Sequence, residues 1–552
     1  QEMSVMTSSY PAEFGNTGGG VERYVIKSGT NSFHGNLYEF LRNTDFDARG
    51  FFSSSVAVHH ENEFGGTFGG PVWIPKIYNG KNRTLFFLNI EEYKLRGGAQ
   101  NSTGSVPDQA FRNGDLSGLL DATNNQIPIY DPATTTPNGH GGFIRQQFPG
   151  NIIPASRISP VSKNILGYVP APTLPGVYDN YPSTGSSITD YSAYTFKVDQ
   201  YFRSNHHLSA TWNQSANDNN GPYSILPHPV QSTRDGATNV YTGRINYDWT
   251  ITPTLLNTFR FGFNRQYQFL GSEEASQQWG EKLGISGINN GFPSISYGAF
   301  TALAQNQDLL GPISNTFLFA DTVSWTHGRH NFKVGEDFRR LQHQGIYPSR
   351  AAGFNFSTLE TGLPNSDKTT GNEFASFLLG QVDSSGMYVN DVVAGARWWY
   401  SGAYFQDDFK VNPRLTLNLG IRWDVFTPYT EVANRYSIMD PTKPNPAAGG
   451  VLGAYVFAGG NPSSGPYTGT SRLTTNSKTD WGNWGPRLGL AWKATNRFVV
   501  RAAYGLSYYP DGCLGGGNVT AVTDCFSSNA SFISPNTGVS PAFVWDNGFP
   551  QN

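Results

Sequence analysis

The residues that could do chemistry come in short runs, and each run stops short of a complete site. His60-Glu61-Asn62-Glu63-Phe64 begins like the zinc helix of a metalloprotease, which needs histidines at i and i+4 so that both rings meet the metal from one side. Phe64 stands where the second histidine must be, so a metal there would lack a ligand. His59-His60 and His206-His207 read as exposed loop and turn residues. The run Gly18-Gly19-Gly20 offers backbone amides for a phosphate, but no helix signal follows to complete the cradle, and flexible or closely packed backbone is the expected role. Ala216-Asn217-Asp218-Asn219-Asn220-Gly221 is rich in oxygen, yet Asp218 is its only carboxylate, too few for a calcium loop, and a plain Asn-Gly turn is preferred. Neither a G-x-S-x-G elbow nor a phosphate-cradling G-x-x-x-x-G-K occurs. No catalytic residue, cofactor or metal ligand is therefore expected, and the chain reads as a non-enzyme.

Cys513 and Cys525 lie in a Gly-rich stretch outside any zinc pattern. They suit a loop disulfide in an oxidising compartment or two unpaired thiols, since spacing alone fixes no connectivity. A net charge of -3 with pI about 6.4, and no long basic run, excludes the electrostatic footprint of a nucleic-acid binder.

The elements that would have to position any site are strands. Charged residues make up 14% and aromatics 14% of the chain, with 63 glycines, 4 methionines and 2 cysteines, a profile of β-structure with many turns. Mean hydropathy is -0.41 and no apolar run is long enough for a transmembrane helix. A membrane barrel stays open to that composition, because only alternate residues touch lipid. Leu415, Leu417, Leu419, Ile421, Trp423 and Val425 point one way, against Thr416, Asn418, Gly420, Arg422 and Asp424. Ile245, Tyr247 and Trp249 oppose Arg244, Asn246 and Asp248; Phe259, Phe261 and Phe263 oppose Arg260 and Asn264; Val500, Tyr504 and Leu506 oppose Arg501, Gly505 and Ser507. Tyr194, Phe196 and Val198 likewise oppose Lys197 and Asp199. Arg397 to Phe409 breaks the rule with apolar residues in both registers, and Asp321 and Glu336 fall on faces otherwise apolar.

A soluble sandwich also alternates, but three features favour the membrane barrel. The alternating segments reach the roughly 9–11 residues a tilted membrane strand needs. Short turns at 203–205, 252–253, 327–329, 412–413 and 494–496 alternate with long connections at roughly 97–192, 215–238, 270–314, 344–396 and 428–483, as periplasmic turns alternate with extracellular loops. Trp212, Trp398, Trp399, Trp423 and Trp484 fall at outer strand ends and Trp249, Trp325 and Trp492 at inner ends, as interfacial girdles require. The expectation is an all-β, antiparallel up-and-down transmembrane barrel of which about thirteen strands are present.

Ser9-Tyr10-Pro11-Ala12-Glu13-Phe14-Gly15-Asn16-Thr17-Gly18-Gly19-Gly20 and Val25-Ile26-Lys27-Ser28-Gly29-Thr30-Asn31-Ser32-Phe33-His34-Gly35 closely resemble the plug-to-barrel junction of TonB-dependent receptors, and within them the Oar-like group. Phe64-Gly65-Gly66-Thr67-Phe68-Gly69-Gly70-Pro71, Phe86-Phe87-Leu88-Asn89-Ile90-Glu91, Phe148-Pro149-Gly150-Asn151-Ile152-Ile153-Pro154, Gln406-Asp407-Asp408-Phe409-Lys410-Val411, Leu415 through Arg422 and Pro486-Arg487-Leu488-Gly489-Leu490-Ala491 continue the match in order along most of the chain. The resemblance implies a plugged barrel of twenty-two strands that imports a scarce nutrient on energy delivered by TonB. On that reading residues 1–32 are the C-terminal end of the plug, residues 33–552 are an incomplete barrel with long extracellular loops, and the chain is an internal fragment. The implied partners are outer-membrane lipid, the TonB complex through an N-terminal region beyond this sequence, and an unidentified imported ligand. A surface adhesin, or a ligand-binding barrel without active transport, is the alternative.

If the barrel is right, Arg244, Arg260, Arg422, Arg487 and Arg501, with Asp199, Asp248 and Asp424, face the lumen. They either line a solute path or solvate the wall and pair with the plug.

Overall fold

Alternation this regular has one stable outcome for the backbone, an extended strand hydrogen-bonded on both sides, and the chain builds thirteen of them into one antiparallel wall. The computed structural model describes the chain apart from residues 1, 8–9, 50, 52–55, 57, 221–224, 232–234, 305–310, 346–350, 365–368, 391–394, 429, 436, 459–478, 510–527 and 552. A short hairpin, β1 (Glu2–Met6) with β2 (Val21–Val25), precedes the wall. The wall then runs in chain order through β3 (His34–Asn43), β4 (His59–Pro71), β5 (Thr84–Gly104), β6 (Tyr181–Phe202), β7 (His206–Asn220), β8 (Asp235–Thr252) and β9 (Leu255–Gly271). It continues through β10 (Ile313–His327), β11 (His330–Gln344), β12 (Gly395–Asn412), β13 (Leu415–Phe426), β14 (Trp484–Lys493) and β15 (Val499–Gly505). Every strand pairs with its sequence neighbour, and among the described residues β3 and β15 do not pair with each other, so the wall is open.

The register carries the face assignment across the whole wall. Ile245 lies opposite Phe261, Phe261 opposite Phe319 and Phe319 opposite Phe338, while Leu419 lies opposite Leu488. These outward side chains are exposed at Leu419 (40%), Ile421 (42%) and Phe319 (44%), whereas inward Arg422 and Asp424 are fully buried. Exposed apolar and buried charged residues on opposite faces invert the pattern of a water-soluble sheet. Among the described residues no helix is long and apolar enough to cross a membrane, which leaves crossing by strands untouched.

Strand edges and one tryptophan differ from the sequence expectation. The connection expected to reach about Ser192 ends earlier, with β6 starting at Tyr181. At 22 residues β6 is roughly 70 Å long at about 3.3 Å per residue, far beyond the height of a membrane band, so β5 and β6 rise out of it as a paired ribbon. Trp398 and Trp399 cannot share a face; Trp399 is on the outward side and Trp398 is buried on the inward one.

Four of the long connections fold together with residues from the C-terminal end of the chain. Segments around 106–169, 226–230, 279–304, 352–387 and 530–549 converge on one hydrophobic core that includes Phe111, Ile129, Trp279, Phe354, Phe377 and Trp545. Short helices support it: α1 (Gln109–Arg112), α2 (Pro160–Leu166), α3 (Trp279–Leu283) and α4 (Glu373–Leu378). Asn372 starts α4 by accepting from the amides of Phe374 and Ala375, and the helix buries Phe374, Phe377 and Leu378. The result is a folded cap on the wall.

Candidate functional site

The inner face of β11–β15 holds a polar cluster centred on Arg422. Its neighbours on β12 and β13 are glycines where close approach demands them. A Cβ on Gly402 would stand 2.1 Å from Arg422 Nη2, and one on Gly420 would stand 2.9 Å from the Ala12 Cβ. In that space Arg422 Nε donates to Asp424 Oδ1 (2.8 Å) and Nη2 to the Tyr400 hydroxyl (2.6 Å), which itself donates to Asp424 Oδ1 (2.6 Å). The pair is fully buried, Asp424 Oδ2 has no hydrogen-bond partner among the described residues, and Arg422 Nη1 reaches to another part of the chain.

That part is residues 10–17, which turn back against the wall. Arg422 Nη1 donates to the carbonyls of Ala12 (3.0 Å) and Glu13 (3.4 Å), and Gln406 Oε1 accepts from the Ala12 amide (2.9 Å). Lys333 Nζ pairs with Glu13 Oε1 at 3.0 Å. The Tyr10 hydroxyl donates to the Thr17 carbonyl (2.8 Å) and shares a second hydrogen bond with Ser507 (2.7 Å), while the Arg487 guanidinium lies 5.4 Å from the centre of its ring. Ala12 is completely buried and Tyr10 nearly so. Toward the turn 203–205 a second cluster ties the next stretch of chain: Lys197 Nζ donates to Ser28 Oγ (2.7 Å) and lies 3.6 Å from Asp199. His207 bridges Asp199 (3.0 Å) and Asp248 (3.4 Å), and Thr258 donates to Asp248 (2.9 Å).

The inward residues named from the sequence therefore separate into groups. Arg422 and Arg487 meet residues 10–17, with Asp424 paired behind Arg422; Asp199 and Asp248 meet each other through His207; Arg244, Arg260 and Arg501 remain exposed on the inner face. Cys513 and Cys525, and with them the candidate disulfide, lie outside the described residues. Among the described residues no group of His, Cys, Asp and Glu is placed to hold a metal ion. Sequence reasoning missed Gln406, Tyr400 and Lys333. Arg397 to Phe409 did signal Tyr400, because the inward apolar residues that spoil its alternation include Tyr400 and Tyr404, which pack around Arg422; nothing in the sequence marked Gln406 or Lys333.

The cap has its own polar joint. Arg145, nearly buried, donates to the carbonyls of Leu359, Glu360, Gly362, Gly538 and Val539, so one guanidinium stitches three segments. Glu360 is fully buried beside it; Ser357 Oγ donates to its Oε2 (2.8 Å), and Oε1 has no partner among the described residues. Burial pushes the Glu360 carboxyl up to about 7, and the neighbouring Asp383 carboxylate adds to the rise.

An open antiparallel wall with an apolar exterior and a polar interior, to which an N-terminal segment is hydrogen-bonded, defines an outer-membrane barrel. The sequence belongs to the outer membrane beta barrel domain family, whose model matches residues 25–552. The chain is thus part of an outer-membrane β-barrel. No curated protein matches the chain. Similar solved structures are a ferric enterobactin receptor (PfeA) mutant from Pseudomonas aeruginosa (12% identity, TM-score 0.41, 92% of this chain and 48% of that one), the outer membrane transporter YddB from Escherichia coli (11%, 0.45, 91% and 55%), and the siderophore receptor PiuA from Acinetobacter baumannii (9%, 0.39, 92% and 54%). The chain spans about half the length of these proteins.

Proposed function

We propose that the protein is a TonB-dependent receptor that imports a scarce nutrient through a plugged barrel, with residues 1–32 as the C-terminal end of the plug and residues 33–552 as part of the barrel. The observation that carries this reading is the hydrogen-bonded seating of residues 10–17 on Arg422, Gln406 and Lys333. An anchor needs no interior segment held by its backbone, whereas a gated pore must fix the plug's exit strand to one side of the wall while the rest moves. The exposed inner arginines Arg244, Arg260 and Arg501 are then left to solvate the passage, Arg422 and Arg487 hold the plug, and Asp424 holds Arg422.

Growth of a strain lacking the full-length gene, tested on defined limiting iron, glycan and peptide sources, checks the proposal. A nutrient-specific defect rescued by the gene only in cells that possess TonB supports import. Full growth on every source, with loss of surface attachment instead, would establish the adhesin reading, for which the folded cap offers a binding surface.

A further inference from the structure

Asp321 on β10 and Glu336 on β11 stand directly opposite each other on the outward face, and both are exposed. Toward the turn the outward pairs are Val323 with Val334 and then Trp325 with Phe332; away from it they are Phe319 with Phe338 and then Phe317 with Arg340. Arg340 lies 4.3 Å from the ring centre of Trp399, an outer-end anchor. The acids therefore sit midway between the aromatic levels, roughly 13 Å along the strand from either, at about 3.3 Å per residue. Strand tilt reduces that to roughly 10 Å of depth, near the centre of an apolar band about 25 Å tall.

Carboxylates directly opposite each other repel, and hydrocarbon cannot solvate them. On the same face Asp407 has a partner within the chain: its Oδ2 lies 2.7 Å from His330 Nδ1, and the residue is nearly buried. Asp321 and Glu336 have no Lys, Arg or His within ion-pair distance among the described residues. Their donors are neutral, Asn257 Nδ2 to Asp321 (2.7 Å) and Ser401 Oγ to Glu336 (2.8 Å). Asn257, Asp321, Glu336 and Ser401 thus form a polar diagonal across β9–β12, and Ala403 opposite Glu336 leaves a shallow dip beside it.

We propose that the outward face of β9–β12 is a docking surface for another membrane-embedded polypeptide that presents a lysine or arginine at mid-depth. Charge complementarity selects this occupant. Lipid headgroups carry their charges at the band's edges, away from the diagonal. A second copy related by a two-fold axis along the membrane normal would bring equal depths together and set carboxylates against carboxylates, since Arg340 lies at another level.

The test places a benzophenone photocrosslinking residue at Val334 or, as a control on the far side of the wall, at Ile90, in the full-length protein in its native outer membrane. Heat-modifiable gel mobility confirms folding. The expected result is one discrete adduct at Val334 with a different protein, absent at Ile90, linked to a segment containing lysine or arginine. Its yield should fall by about tenfold or more in Asp321→Asn/Glu336→Gln, as loss of a desolvated charge contact would require. Glu336→Gln alone serves if the double variant does not fold, with a smaller fall expected. Labelling of lipid alone, an adduct with a second copy, or a yield indifferent to neutralisation would each overturn the proposal.

Discussion

At the scale of single residues, Arg422 does two jobs that its burial makes inseparable. It neutralises Asp424 and holds the backbone of residues 12 and 13. Arg422→Met keeps most of the volume but strands a buried carboxylate, which should cost about 3–5 kcal/mol. Thermal unfolding of the full-length protein in detergent reads that loss, and limited proteolysis should find residues 10–17 newly accessible. Arg422→Met/Asp424→Leu should recover much of the stability while residues 10–17 stay accessible, which separates holding from folding. Glu360 supplies a pH prediction outside the membrane. Its folded pKa of about 7 exceeds the ordinary value of 4.5, so the folded cap keeps a proton that the unfolded chain releases. Its contribution is whole below about 4.5, fades as pH rises, and is gone above about 7. Cap stability, followed by hydrogen exchange of the loop amides, should fall across that window and be flatter in Glu360→Gln. A slope unchanged by the substitution would remove Glu360 as its source.

At the scale of the strand, parity decides the effect of every substitution. Leu419 faces outward at 40% exposure, and Leu419→Arg should cost about 2–4 kcal/mol near mid-depth. Asn418 faces inward, where Asn418→Arg loses a hydrogen bond to Asp408 of about 1 kcal/mol and gains access to water. Urea titration of the refolded full-length protein in lipid vesicles measures both, and equal penalties would mean that the faces are wrongly assigned. Parity was readable from Leu415 to Val425 because period-two alternation leaves no other way to sort lipid from water. It was unreadable from Arg397 to Phe409, where Trp398 and Tyr400 are apolar on the inner side. The sequence does not say that an inner face will itself be covered.

At the scale of the molecule, wall and cap are held by different physics. Strand ladders and an apolar exterior make the wall; an aromatic core around Trp545 and the Arg145 joint make the cap. Trp545 is fully buried, packs edge-on against Phe356 and Phe377, and donates to Ser159. Trp545→Ala should destabilise the cap by about 3–5 kcal/mol and leave the wall folded. Calorimetry should then show a lowered early transition and an unmoved late one; a single shifted transition would mean that cap and wall unfold together. Alternation, turn spacing and strand length were local properties, so the sequence alone determined the all-β class, the thirteen strands and which face meets lipid. The cap core and the clamp on residues 10–17 join residues far apart in the chain. Only the tertiary structure decided these, because a contact between distant segments depends on where every intervening strand has carried them, and no local pattern records that path.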